Sequence, residues 1–148
     1  IRMRLVGSEM CIRDRSNLNK LIDDLDLEDK ITFRSGISEK EIVKTYHDSD
    51  IAVIPSLYEG FGFGAGEAMA CGVPLISTDS GGLKQVIGDA ALKIKPGSVN
   101  EIEEGILKLF TEEKIRQELA KKGRERMEEF FDWKIAASAY IEVFKKII

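Results

Sequence analysis

The chain has 148 residues, 43% hydrophobic and 32% charged, enough for one domain with a true core and too few for two. Its 22 Lys and Arg against 26 Asp and Glu leave a net charge of −4, which argues against nucleic acid or an anionic membrane surface as partner. No apolar run reaches the roughly 20 residues of a spanning helix, no secretory leader pattern opens the sequence, and Cys11 and Cys71 form neither a Cys-x-x-Cys pair nor a Cys/His cluster, so the expectation is a soluble cytoplasmic domain with reduced thiols and no zinc site.

Residues 1–15 stand apart, with four Arg and no Lys in an otherwise Lys-rich chain. The string Ser8–Arg15 resembles a translated sequencing adapter, so residues 1–15 are set aside as an artefact and the domain is taken as 16–148. The alternative is that Leu5-Val6-Gly7 closes a true strand.

Along the rest, Leu18, Leu21, Ile22 and Leu25 recur at helical spacing and predict an amphipathic helix over 17–27. Ile31-Thr32-Phe33 predicts a short strand closed by Ser35-Gly36. Ser38 with Glu41 is a capping box, opening a helix with Ile42, Val43 and Tyr46 on its buried face. Ile51–Ile54 and Pro74–Ser77 are apolar runs without polar alternation, as in strands covered on both faces. Ala91–Ile94 predicts a last strand, and Ser98 with Glu101 a second capping box, for a helix burying Ile102, Ile106, Leu109 and Phe110. Residues 112–130 continue helical, with Glu112–Arg116 and Glu118–Lys122 as exposed pairs. Trp133, Ala136, Ala137, Tyr140, Ile141 and Phe144 stripe a terminal helix begun by Asp132. Strands alternating with helices imply an α/β fold around a doubly wound, Rossmann-like parallel sheet, with ligands held at the carboxyl ends of the strands.

The informative segment runs from Pro55 to Gly72, leaving a strand and entering a helix near Gly64. Gly60, Gly62, Gly64 and Gly66 alternate, so the backbone can approach a ligand closely, and a helix start beyond them favours an anion such as a diphosphate. The dinucleotide pattern GxGxxG is a weak reading: counted from Gly60, Gly62 or Gly64, its third glycine falls on Ala65, Glu67 or Met69, of which only Ala65 is an allowed variant, and the helix that follows is short. Gly-Lys-Ser/Thr is absent as well. Two carboxylates bracket the glycines, Glu59 on the loop and Glu67 in the expected first helical turn, where a carboxylate can accept from two vicinal hydroxyls such as a ribose offers. The plainer reading is that Glu67 complements the helix dipole and Glu59 is solvated.

Pro55-Ser-Leu-Tyr-Glu-Gly-Phe-Gly62, Glu67-Ala-Met-Ala-Cys-Gly-Val-Pro74 and Ser77-Thr-Asp-Ser-Gly-Gly82 resemble the carboxy-terminal, donor-binding domain of retaining glycosyltransferases with the two-domain GT-B fold, most like family 4. The resemblance covers about Ser16 to the end. It implies transfer of a sugar from a nucleotide diphosphate sugar with retention of anomeric configuration, with no metal and no further cofactor. It makes Glu59 the catalytic carboxylate facing the donor sugar and Glu67 the ribose ligand. Gly60, Phe61, Gly62, Phe63 and Gly64 line the donor, and Gly81 and Gly82 lie near the diphosphate and the acceptor side. It further implies that an amino-terminal acceptor domain is the partner half, and that the Arg and Lys which help hold the diphosphate in the family have no match here. Where the family carries Gly-Gly-x-Pro-Glu-Val, this chain has Gly81-Gly82-Leu83-Lys84-Gln85-Val86, so a neutral Gln85 replaces a carboxylate. A stand-alone nucleotide-binding or regulatory module without transferase activity is the alternative.

Some features read more plainly. Asp48-Ser49-Asp50 has a metal-binding spacing but precedes a strand, at the wrong end of a sheet, and reads as a helix-terminating turn. His47 ends that helix, Cys71 reads as a small packed side chain before a Gly72 stop, and Phe131 and Trp133 read as core or interdomain anchors.

Overall fold

The computed structural model describes residues 15–147. Both readings of residues 1–15 therefore fall, apart from Arg15, outside the described residues. The elements follow in the order α1 (Arg15–Asp24), α2 (Glu39–His47), β1 (Ala52–Ile54), α3 (Phe63–Ala70), β2 (Leu75–Ser77), α4 (Leu83–Ile87), β3 (Leu92–Lys93), α5 (Val99–Thr111), α6 (Glu113–Phe130) and α7 (Trp133–Ile147).

Three parallel strands lie in the order β1-β2-β3, with Val53 opposite Ile76 and Ile76 opposite Leu92. Helices cover both faces, which is why the strand sequences show no polar alternation. Leu75 of the central strand points into a core with Ala65, Ala68, Met69, Leu83 and Val86, while its neighbour Ile76 points into a second core with Ile51, Ile94 and Leu109. Both side chains are fully buried. Small residues set the close approaches: a Cβ on Gly105 of α5 would sit 3.2 Å from Leu92, and one on Gly123 of α6 would sit 3.2 Å from Met69.

Local signals near helix ends do what their chemistry requires. Ser38 accepts from the Glu41 amide while Glu41 accepts from the Ser38 amide at 2.9 Å, the complete box. Those hydrogen bonds hold the Glu41 carboxyl below its ordinary pKa. At the end of α1, Asp26 adopts φ +52 so that the Leu27 amide reaches the Ile22 carbonyl at 3.0 Å, a Schellman closure that a short polar residue tolerates without glycine.

Several expectations are corrected. Residues 31–33 join no strand of the sheet among the described residues, because a three-residue strand exists only through its ladder partner. The second capping box is half formed: Ser98 accepts from the Glu101 amide, but Glu101 reaches past it to the Lys95 amide at 2.7 Å. The helical stretch is broken at Glu112, whose φ −104 and ψ +78 separate α5 from α6. The exposed pairs fall on Lys121–Glu125 and Arg124–Glu128 instead, since Arg116 turns back to the Leu109 carbonyl. The sequence reading also passed over α4, although Leu83, Val86 and Ile87 have helical spacing and are all buried.

Helix α6 ties the layer together. Arg124 donates to the Ala70 carbonyl at the end of α3, and Arg126 donates to the Val86 and Gln85 carbonyls of α4 at 2.8 and 2.6 Å. A cation at each carboxyl end satisfies carbonyls that the helix itself leaves open.

Candidate functional site

Because β1 and β2 are parallel, the loops after Ile54 and Ser77 leave the same edge of the sheet, and they are laced together there. The Thr78 amide donates to the Ile54 carbonyl at 3.2 Å, and the Thr78 and Ser80 hydroxyls both donate to the Ser56 carbonyl, at 2.7 and 3.1 Å. Further out, the Gly82 amide donates to the Glu59 carbonyl at 2.8 Å. A Cβ at Gly81 would stand 2.3 Å from the Glu59 carbonyl oxygen, and one at Gly82 would stand 2.2 Å from that of Gly60. Only hydrogen atoms fit between these backbones. Gly81-Gly82 thus packs directly against the backbone of Glu59-Gly60, more than twenty residues away in the chain.

Gly62 begins α3 with φ +97, a left-handed conformation that a side chain rarely adopts. Its carbonyl accepts the first helical bond, from Gly66 at 3.1 Å. Having no side chain, Gly62 supplies no cap, whereas Ser38 and Ser98 cap α2 and α5. The first amides of α3 have no partner within the helix. At Gly60 and Gly64 the local structure does not demand glycine: a Cβ on the first would meet open space, and one on the second would make only ordinary contacts.

Glu59 is half-buried on the loop, with the exposed Phe61 and Phe63 beyond it. Their rings lie 4.8 Å apart, and Phe61 meets Phe131 edge-on at 6.3 Å. Glu67 is corrected in position. With α3 starting at Phe63, it is the fifth helical residue and lies in the second turn rather than at the positive end. What holds it is Tyr46, read from the sequence only as buried face: the phenol donates to Glu67 Oε2 at 3.3 Å and lies 3.2 Å from the Gly64 carbonyl. Burial, and then the charge of Glu67, push the Tyr46 hydroxyl well above its usual pKa, so it remains a donor. Tyr46 sits 21 residues before Glu67, and no spacing rule links them.

The plain readings of His47, Asp48 and Cys71 hold. His47 closes α2 and Asp48 caps it, with its amide on the Lys44 carbonyl. Cys71 caps α3 before Gly72 at φ +70, and burial raises its thiol pKa. Trp133 is no core anchor, being 87% exposed. Among the described residues no three His, Cys, Asp or Glu cluster as metal ligands, and no helix is long and apolar enough to cross a membrane.

A parallel α/β sheet whose first two loops are laced together beside an uncapped helix start defines a Rossmann-like fold. The family model of glycosyl transferases group 1 matches residues 1–126, and the chain belongs to that family. The match begins ahead of the Ser16 boundary drawn from the sequence. The chain is 34% identical over 132 residues to the MMP alpha-(1->4)-mannosyltransferase of Mycolicibacterium hassiacum, covering 87% of this chain and 32% of that protein. Among solved structures, sucrose-phosphate synthase from Thermosynechococcus elongatus superposes with a TM-score of 0.81 at 29% identity, over 90% of this chain and 34% of that one. Anabaena HepE, solved with UDP-glucose, reaches 0.81 at 21% identity over 89% of this chain and 36% of that one, a likeness of fold. These neighbours are GT-B glycosyltransferases. The chain spans about a third of the length of the curated relatives it matches.

Proposed function

We propose that this chain holds the nucleotide sugar of a cytoplasmic, family 4-like glycosyltransferase that retains anomeric configuration. The observation that carries the reading is the start of α3. It begins at left-handed Gly62 with no capping side chain, so its free amides and positive end are available to a diphosphate. The transition state is oxocarbenium-like and its leaving group is the diphosphate, so donors already aimed at the phosphates stabilise the charge that develops. Glu59 then faces the donor sugar, with the Phe61 and Gly62 backbone beside it, and Gly81 and Gly82 lie near the diphosphate and the acceptor side. Glu67 accepts from the ribose hydroxyls.

Transfer also needs an acceptor held in line and water excluded by closure of a second domain. Relatives about three times as long support a division of labour in which the rest of the protein supplies the acceptor site. The isolated chain is expected to bind a nucleoside diphosphate weakly, in the micromolar-to-millimolar range, with no metal required, and to transfer no sugar.

Titration calorimetry with ADP, UDP and GDP tests this. Glu67→Ala should weaken the binding nucleotide by about 1.5 to 3 kcal/mol, the range for hydrogen bonds to charged groups. Glu59→Gln should spare the bare nucleotide and weaken its sugar conjugate, and a chelator should change neither. Silence with all three nucleotides, or equal loss of both ligands in Glu59→Gln, overturns the assignment.

A further inference from the structure

We infer that Tyr46 is a positioning residue of the donor site, fixing the Glu67 carboxylate from the α2 side so that one oxygen is tied and the other is left for the ligand. The inference rests on the reading of Glu67 as the ribose acceptor. Tyr46 is 4% exposed and packs in the same core as Ala65, Ala68 and Met69, so its ring has no freedom to follow a mobile carboxylate. Its hydroxyl has one proton and two acceptors within reach, Gly64 O at 3.2 Å and Glu67 Oε2 at 3.3 Å. The Gly64 carbonyl already receives the ladder bond of α3 from four residues further on. The phenolic proton therefore goes to the carboxylate, where the hydrogen bond is charge-assisted. Among the described residues Glu67 Oε1 accepts no hydrogen bond.

Glu67 is otherwise exposed, and an exposed glutamate samples several rotamers that a ligand must freeze on binding. Anchoring one oxygen beforehand to a buried phenol removes part of that cost before the nucleotide arrives. It also accounts for how a carboxylate in the second turn of α3, outside the strongest field of the helix start, is held in one place. Tyr46 touches neither sugar nor phosphate in this scheme and acts only through Glu67.

The test compares UDP, GDP and ADP with their 2′,3′-dideoxy forms by titration calorimetry on the wild type, Tyr46→Phe, Glu67→Gln and the double variant. Phenylalanine keeps the packed ring and removes only the hydroxyl. Tyr46→Phe should weaken the ribonucleotide by about three- to tenfold, the size of one modest hydrogen bond, leave the dideoxy form unchanged, and add nothing in the Glu67→Gln background. In the wild type, a 13Cζ label on Tyr46 should shift on adding the ribonucleotide and not the dideoxy form. Equal weakening of both nucleotides in Tyr46→Phe, or a loss in Glu67→Gln with none in Tyr46→Phe, overturns the positioning role alone. Unchanged affinity in Glu67→Gln overturns the ribose reading, and the role of Tyr46 with it.

Discussion

Helix α3 has eight residues, built largely of glycine and alanine, and its Ala65, Ala68 and Met69 are completely enclosed. Helix α7 has fifteen, carries a clear apolar stripe, and buries none of its described residues, with Trp133 87% and Tyr140 69% exposed. The contrast runs against apolar area and follows side-chain size. Around α3 the neighbours come close: Gly123 of α6 lies against Met69, and Gly66 lies close to the Met127 sulfur. Small residues let backbones approach and leave every buried atom with neighbours, as close packing requires. A stripe of large residues only states that a partner is needed, and among the described residues α7 has found no cover.

That contrast can be broken by substitution. The largest effect is expected from Met69→Ala in the α3–α6 seam, about 2 to 5 kcal/mol of stability by denaturant titration, as for other buried large-to-small changes. A loss under about 1 kcal/mol would mean the seam relaxes freely and is not tightly packed. Gly82→Ala comes next, at about 1 to 3 kcal/mol. Its φ of −67 suits any residue, so the cost is the collision with the backbone of Gly60 and Phe61. Gly60→Ala is the internal control, expected within about 0.5 kcal/mol because its Cβ meets open space. Ile141→Ala on α7 should also stay within about 0.5 kcal/mol. A larger loss there would show that the stripe is covered in solution.

The smallest effect separates the capped helices from α7 by pH. Hydrogen bonds to Ser38 and Lys95 hold the Glu41 and Glu101 carboxyls below their ordinary 4.5. A carboxyl depressed in the fold contributes fully above its unfolded value, and that contribution is lost as pH falls through the folded one. Amide protection at Ser38 and Lys95, measured against the intrinsic exchange rate at each pH, should therefore fall below about pH 4.5 before the core opens, and Glu41→Gln should abolish the change at Ser38. Protection at Ser38 that stays flat down to global unfolding would dismiss the box as a source of acid sensitivity.

Much of this molecule was legible locally. The Ser38–Glu41 box spans four residues and forms as its chemistry demands, and Gly72 stops α3 through its own backbone preference. The uninterrupted apolar runs of β1 and β2 announced a sheet covered on both sides, and the glycines and carboxylates between Glu59 and Glu67 carried the resemblance to the family. Such signals need only neighbours within a turn or a strand, so the sequence by itself determined them. Where α3 begins was decided by the left-handed turn at Gly62, which moved Glu67 into the second turn. Tyr46 against Glu67, Ser56 against Thr78, and Gly82 against Gly60 are contacts between segments 21 or more residues apart. They depend on sheet register and on how closely α2, α3 and the two loops pack, which no local spacing encodes. The apolar runs 31–33 and α7 make the same point from the other side: periodicity states what a segment could bury, and only the tertiary structure supplies the surface against which it does.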